Sequence, residues 1–147
     1  MPPKSTILSG RCHCGNITLA FESSLPVDRL PLRADGCSFC RAHGALSTSD
    51  PNGRVEITVL DPSRLVRYRF ATRTAEFLIC GWCGIYAAAV LISGDSSYAI
   101  VNVNALDARE NLTQEVRPMN YDGETESERI QRRRANWTPA VLKFGQP

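Results

Sequence analysis

Glu76-Phe-Leu-Ile-Cys80-Gly-Trp-Cys83-Gly84 sets two cysteines three apart at the end of a run of strand formers. EFLIC reads as a short strand ending in Cys80, and the glycine after Cys83 lets the chain turn with backbone amides facing the sulfurs. Such a turn brings two thiolates to roughly 3.8 Å, the edge of a tetrahedron around zinc with bonds of about 2.3 Å. It supplies half of a four-sulfur shell, so the other half must come from elsewhere in the chain.

Six cysteines fall in three close pairs: Cys12 with Cys14, Cys37 with Cys40, and Cys80 with Cys83. Cys12-His-Cys14-Gly15 also ends in glycine. On an extended chain residues i and i+2 face the same way, so one metal could take both sulfurs. His13 between them would then point to the opposite face and is not expected to be a ligand. A four-cysteine site joining two such pairs accounts for the glycines, which three unrelated clusters of buried thiols would not. A redox pair would need a nucleophilic cysteine at a helix N-terminus, usually within a βαβ pattern. The residues after Cys83, GIYAAAV, read instead as a returning strand.

The third pair lies in RADGCSFCRAHG, Arg33 to Gly44. Cys37 and Cys40 are flanked by Asp35 and His43, either of which could add an oxygen or nitrogen ligand at about 2.0–2.2 Å. Three protein ligands leave a position open for a substrate, the mark of a catalytic metal site. Asp35 is equally well read as the first residue of an Asp-Gly turn. For His43 a surface or hydrogen-bonded loop role fits somewhat better than coordination.

The rest of the chain sets the frame. Its 147 residues suit one domain with its own core, and 43% apolar with 22% charged residues is ordinary for a globular protein. A net charge of +2 implies no strong attraction to polyanions. MPPKSTILSG lacks the apolar region of a signal peptide, and IYAAAVLI is too short to cross a bilayer. A reducing, cytoplasmic location is therefore expected, in which six cysteines would not form a disulfide framework. ITLAF, RVEITVL, LVRYRF, EFLIC, YAAAVLI and SYAIVNV recur as short β-rich runs between turn signals. In RVEITV the residues Val55, Ile57 and Val59 share one face. These runs predict an all-β domain. ETESERIQRRRANW, Glu124 to Trp137, predicts one short C-terminal helix with acids first and arginines last, a Glu128–Arg132 pair, and Ile130 and Trp137 resting on the sheet. Strand-like AVLKF follows. Arg132, Arg133 and Arg134 beside Trp137 raise nucleic-acid binding, but the nearly neutral chain and the acids Glu124, Glu126 and Glu128 make a solvated helix face the simpler reading, and no nucleic acid is expected.

Taken together, Gly10-x-Cys12-x-Cys14-Gly15, Cys37-Ser38-x-Cys40-Arg41 and Phe77-x-x-Cys80-x-x-Cys83-Gly84 resemble the glutathione-dependent formaldehyde-activating family, which also includes centromere protein V. The similarity runs from about Gly10 to Asp107, within one domain spanning residues 1–147 that carries a C-terminal extension over 108–147. The resemblance implies a zinc-stapled β-tent of short antiparallel sheets, with a structural zinc held by Cys12, Cys14, Cys80 and Cys83. It implies a second, weaker zinc, associated with activity, in a Cys-x-Cys-x-x-Cys run. Here Cys37 and Cys40 match the last two cysteines of that run, and Asp35 stands at the first. A carboxylate is a harder ligand than a thiolate, so this site should hold zinc less firmly, or fill only when a substrate thiol completes it. The implied activity is that of a carbon–sulfur lyase, joining glutathione or a similar thiol to a small aldehyde such as formaldehyde, or separating the two. Cys37, Cys40 and Asp35 would carry the chemistry. Arg41, then Arg73, are the expected partners of the thiol's carboxylates, although either could be a solvated surface charge. Ser38 could donate to a thiolate or only fill the turn. The alternative is a non-catalytic module in which zinc only staples the fold.

Overall fold

A computed structural model of the chain describes residues 6–145. Among them, in chain order, are β1 (Thr6–Arg11), β2 (Ile17–Ser23), β3 (Leu32–Asp35), α1 (Ser38–His43), β4 (Ser47–Thr48), β5 (Arg54–Val59), β6 (Leu65–Tyr68), β7 (Glu76–Cys80), β8 (Tyr86–Ser93), β9 (Ser96–Asn102), β10 (Val116–Met119), α2 (Glu126–Asn136) and β11 (Thr138–Phe144). The protein is mostly β, as the short recurring runs predict, and each of the six runs carries a strand.

Two sheets share β11. In the first, β1-β2-β5-β11, alternation places Ile17, Leu19 and Phe21 of β2 and Val55, Ile57 and Val59 of β5 on one buried face. In the second, β6, β7, β8 and β9 form an antiparallel meander. The far edge of β9 is then divided. Tyr98 and Ala99 pair with the start of β11, while Val101 and Asn102 pair with β4, which leads on to β3 and β10. The sheets are mixed, not antiparallel throughout as expected. β10 runs parallel to β3, and β11 runs parallel to β5. Both strands enter from long crossovers instead of tight hairpins, and a crossover is what permits parallel pairing.

The core follows from this layout. The larger cluster lies between the sheets and includes Phe21, Ile57, Leu78, Val90, Val101 and Leu106. A smaller one on the opposite face of β7 and β8 holds Phe77, Tyr86, Ala89, Leu91 and Trp137 with Cys40. β8 is therefore covered on both sides, which is why Tyr86 to Leu91 are buried without alternation. α1 caps the smaller cluster through Phe39, whose ring lies 4.8 Å from Phe77 and 5.0 Å from Tyr86.

α2 starts at a capping box, with Thr125 accepting from the Glu128 amide and Glu128 accepting from the Thr125 amide. Glu128 is thereby occupied, and Arg132 pairs with Glu124 instead, at 2.8 Å. Trp137 is buried and Ile130 packs against the smaller cluster, as the sequence predicts. The arginine run is not simply a solvated face. Arg133 is 8% exposed, because the turn of α2 that carries it faces the protein.

Candidate metal centres and the adjoining cavity

The first centre is built from two hairpin turns. Cys12 follows β1 and Cys14 lies in the turn to β2; Cys80 ends β7 and Cys83 lies in the turn to β8. The Sγ atoms of Cys12 and Cys14 are 3.8 Å apart, and those of Cys14 and Cys80 are 3.5 Å apart. All four sulfurs lie within 4.8 Å of one another. The extended geometry expected for Cys12-His13-Cys14 is replaced by a turn. Gly15 donates to the Cys12 carbonyl at 3.1 Å with φ +86°, and the Gly84 amide likewise donates to the Cys80 carbonyl with φ +79°. Both glycines adopt the left-handed conformation that side chains disfavour, and so bend the second cysteine of each pair back toward the first. His13 is exposed and stands outside the cluster.

Amide donors face these sulfurs. Ile17 donates to Cys12 Sγ at 3.2 Å, and Trp82 and Cys83 donate to Cys80 Sγ at 3.4 and 3.5 Å. Burial pushes the Cys12 thiol up to about 12, and burial also raises Cys80. Burial raises Cys83 too, but the amides of Cys14 and Ile85 and the thiols of Cys80 and Cys12 outweigh it, bringing Cys83 down to about 6. Four free thiols at tetrahedral spacing, ringed by amide donors, fit a soft divalent metal, whose charge would hold all four as thiolates.

The second centre sits where β3 passes into α1. Asp35 ends the strand, Cys37 caps the helix, and Cys40 lies buried within it. One ligand atom from each lies within 4.8 Å of the others. The Cys37 amide donates to Asp35 Oδ1 at 2.9 Å, and the Cys40 amide donates to Cys37 Sγ at 3.4 Å. Asp35 thus makes the turn bond and stands at the cluster as well. Burial raises the Cys40 thiol, and its neighbours Cys37 and Asp35 raise it further. His43 packs its ring 4.5 Å from Phe39 and is outside the cluster. Ser38 and Arg41 are exposed on α1, and Arg73 is exposed in a separate groove with Arg69, Glu76 and Ile130.

The two centres differ in what adjoins them. Asp35 and Cys40 line a cavity of about 280 Å³, walled by Phe77, Tyr86 and Trp137. Burial, together with Cys40, Cys37 and Asp35, keeps the Tyr86 phenol protonated well above its ordinary range. The cations of this cavity are Arg33, Arg132 and Arg133, not Arg41 or Arg73. Local sequence carries no signal for them: Arg33 enters from β3, and the other two arrive from the chain's last helix, some hundred residues later.

Fold and site together define a mainly β protein with two cysteine-rich clusters able to hold metal ions, one of them beside a cavity. No protein-family model matches the chain, and no curated protein does. A solved structure does: a Rhodobacter sphaeroides protein, described only as a structural-genomics target, is 32% identical, with a TM-score of 0.56 over 76% of this chain and 99% of that one. The chain belongs to the same family as that protein.

Proposed function

We propose that this protein is a zinc-dependent enzyme of the glutathione-dependent formaldehyde-activating type, forming or breaking the carbon–sulfur bond between a thiol and a small aldehyde. In this reading Cys12, Cys14, Cys80 and Cys83 hold a structural zinc that staples the β-tent, and Asp35, Cys37 and Cys40 hold a second. The observation that carries it is the contrast between the centres: four cysteines complete one shell, while three groups leave the other open and beside a cavity. Zinc at the second centre would supply a positive charge that favours a thiolate and polarises a carbonyl.

The chain's own residues divide the remaining work. Asp35, Cys37 and Cys40 fix the position of the reacting sulfur. Phe77, Tyr86 and Trp137 exclude water from the aldehyde. The thiol gives up its proton as its sulfur adds to the carbonyl carbon, the carbon–oxygen π bond becomes an oxyanion, and return of a proton to that oxygen gives the hydroxyl; the Tyr86 phenol lines the same cavity. Ser38 and Arg41, exposed on α1, would meet the part of the thiol that stays outside. Breakdown of the adduct is the same sequence reversed.

Zinc per chain, measured on wild type and on Cys37→Ala/Cys40→Ala before and after mild chelation, tests this. The expected result is two zincs, one lost easily and absent in the double variant, together with loss of thiol–aldehyde adduct formation in that variant. One zinc unchanged by the mutation, with no adduct formed, overturns the enzyme reading. That outcome favours a zinc-stapled binding module, in which Asp35 would serve only to accept from the Cys37 amide.

A further inference from the structure

Among the described residues, neither Arg33 nor Arg133 makes a salt bridge, although both line the cavity beside Cys40. Arg132, their neighbour there, is neutralised by Glu124 at 2.8 and 3.1 Å and lies over the Tyr121 ring. Asp35 is the one carboxylate of the lining, and it belongs to the metal-ligand cluster. Two guanidinium groups therefore face this space with no carboxylate in salt-bridge contact, Asp35 and Glu124 acting on Arg133 only from farther away.

Both are held in place by neutral groups. Arg133 Nη1 donates to Thr74 Oγ1 at 2.7 Å, its guanidinium lies 4.9 Å from the Trp137 ring centroid, and its buried Nε–H has no partner. Arg33 Nη1 donates to Ser49 Oγ at 2.9 Å, and Ser49 in turn donates to the Asn136 carbonyl at the end of α2. An uncompensated charge at a site 8% exposed is costly, and an unsatisfied donor adds to the cost. Burial, with Arg132 and Arg129 nearby, lowers Arg133 to about 10, which leaves it charged at neutral pH. Planar guanidinium donors pair with carboxylate and phosphate oxygens alike, and of the two the carboxylate is the group that a thiol or carbonyl reactant of the proposed reaction would carry. The volume, about 280 Å³, lies just below the roughly 300–1,000 Å³ that holds drug-sized ligands, so the occupant is small.

We propose that Arg33 and Arg133 form a carboxylate subsite in this cavity, so that a reactant brought to Cys37 and Cys40 carries a carboxylate. This rests on the thiol–aldehyde reading for its consequence, since a small oxo-acid would then stand where an uncharged aldehyde is otherwise expected. The groups that hold the two arginines, Thr74, Ser49 and Trp137, include no metal ligand, so the subsite can be tested apart from that reading. A carboxylate there has two sources, the carbonyl reactant or the thiol.

Trp137 reports on the cavity, and Trp82, 58% exposed in the Cys80 turn, can be removed as Trp82→Phe. In that background the Trp137 emission is titrated with glyoxylate, acetate, acetamide and glutathione. Saturable changes with glyoxylate and acetate are expected, with acetamide weaker by about tenfold or more. Arg133→Met should weaken acetate about ten- to hundredfold, Arg133→Lys less, and Arg134→Met not at all. If Arg133→Met does not fold, Arg33→Met carries the same expectation. Binding should persist in Cys37→Ser/Cys40→Ser, which separates the subsite from the metal. Displacement of glyoxylate by glutathione assigns the carboxylate to the thiol; independent binding assigns it to the carbonyl reactant. Acetamide binding as well as acetate, indifference to both arginines, or loss of binding only with Cys37 and Cys40 overturns the proposal. Adduct formation without arginine-dependent binding leaves the enzyme reading standing and removes the subsite; arginine-dependent binding without turnover does the reverse.

Discussion

Asp50 shows how much one buried side chain can organise. It lies between β4 and β5 and accepts from the Ser24 amide and hydroxyl at 2.7 Å each and from the Asn52 amide at 2.9 Å. Burial alone would raise its carboxyl, but the Ser24 hydroxyl, the amides of Asn52 and Ser24, and Ser23 hold it below the usual carboxylate range. A depressed folded value means the carboxylate stabilises the fold above its unfolded value of about 4, and that this contribution is lost as pH falls through the folded value. Urea unfolding of wild type and Asp50→Asn should therefore differ by about 1–3 kcal/mol at pH 7, with the gap closing toward pH 3. A gap independent of pH would mean that the carboxylate charge contributes nothing. The cysteines make a second contrast at this scale. Cys80→Ser removes a ligand from the cluster that joins two hairpins, and should cost one metal per chain and markedly lower the melting temperature. Cys40→Ser leaves that staple intact and changes one sulfur of the smaller core, and should lower the melting temperature less. Equal losses would contradict the division into a stapling and an open centre.

At the scale of elements, α2 carries the strongest local signals and the least expected role. It starts at the capping box of Thr125 and Glu128, and Thr125→Ala should cost about 1 kcal/mol in urea unfolding. If that variant is as stable as wild type, the cap is not coupled to the global fold. The burial of Arg133 was not legible, because three consecutive arginines differ only in where the helix turn points them once it has docked. α1 escaped the sequence reading for another reason. Six residues give too short a period to recognise, and its Cys37 cap and Gly44 closure resemble the signals of a plain turn.

For the molecule as a whole, β11 is the join. It pairs with β5 along most of its length and with β9 at Thr138 and Pro139, so one strand closes both sheets. Thr138 Oγ1 also accepts from the Asp50 amide at 2.8 Å. A chain ending at Asn136 would expose the β5 edge and uncover the cavity wall at Trp137. It should therefore lose cooperative thermal unfolding, read by circular dichroism. A truncated chain that melts like the full one would show that the two sheets hold without their shared strand. No helix among the described residues is long and apolar enough to cross a membrane.

The sequence alone determined β2, β5 to β9 and β11, the C-terminal helix, and the turn in which Gly84 follows Cys80 and Cys83. Each of these is written locally: a run of strand formers between turn signals, acids before arginines, or a glycine where φ is positive. The tertiary structure alone decided that β10 and β11 pair in parallel and that Arg33 and Arg133 share a cavity with Cys40. Those outcomes depend on contacts between residues up to about a hundred positions apart, which are set by how the sheets pack and leave no periodic trace in the chain.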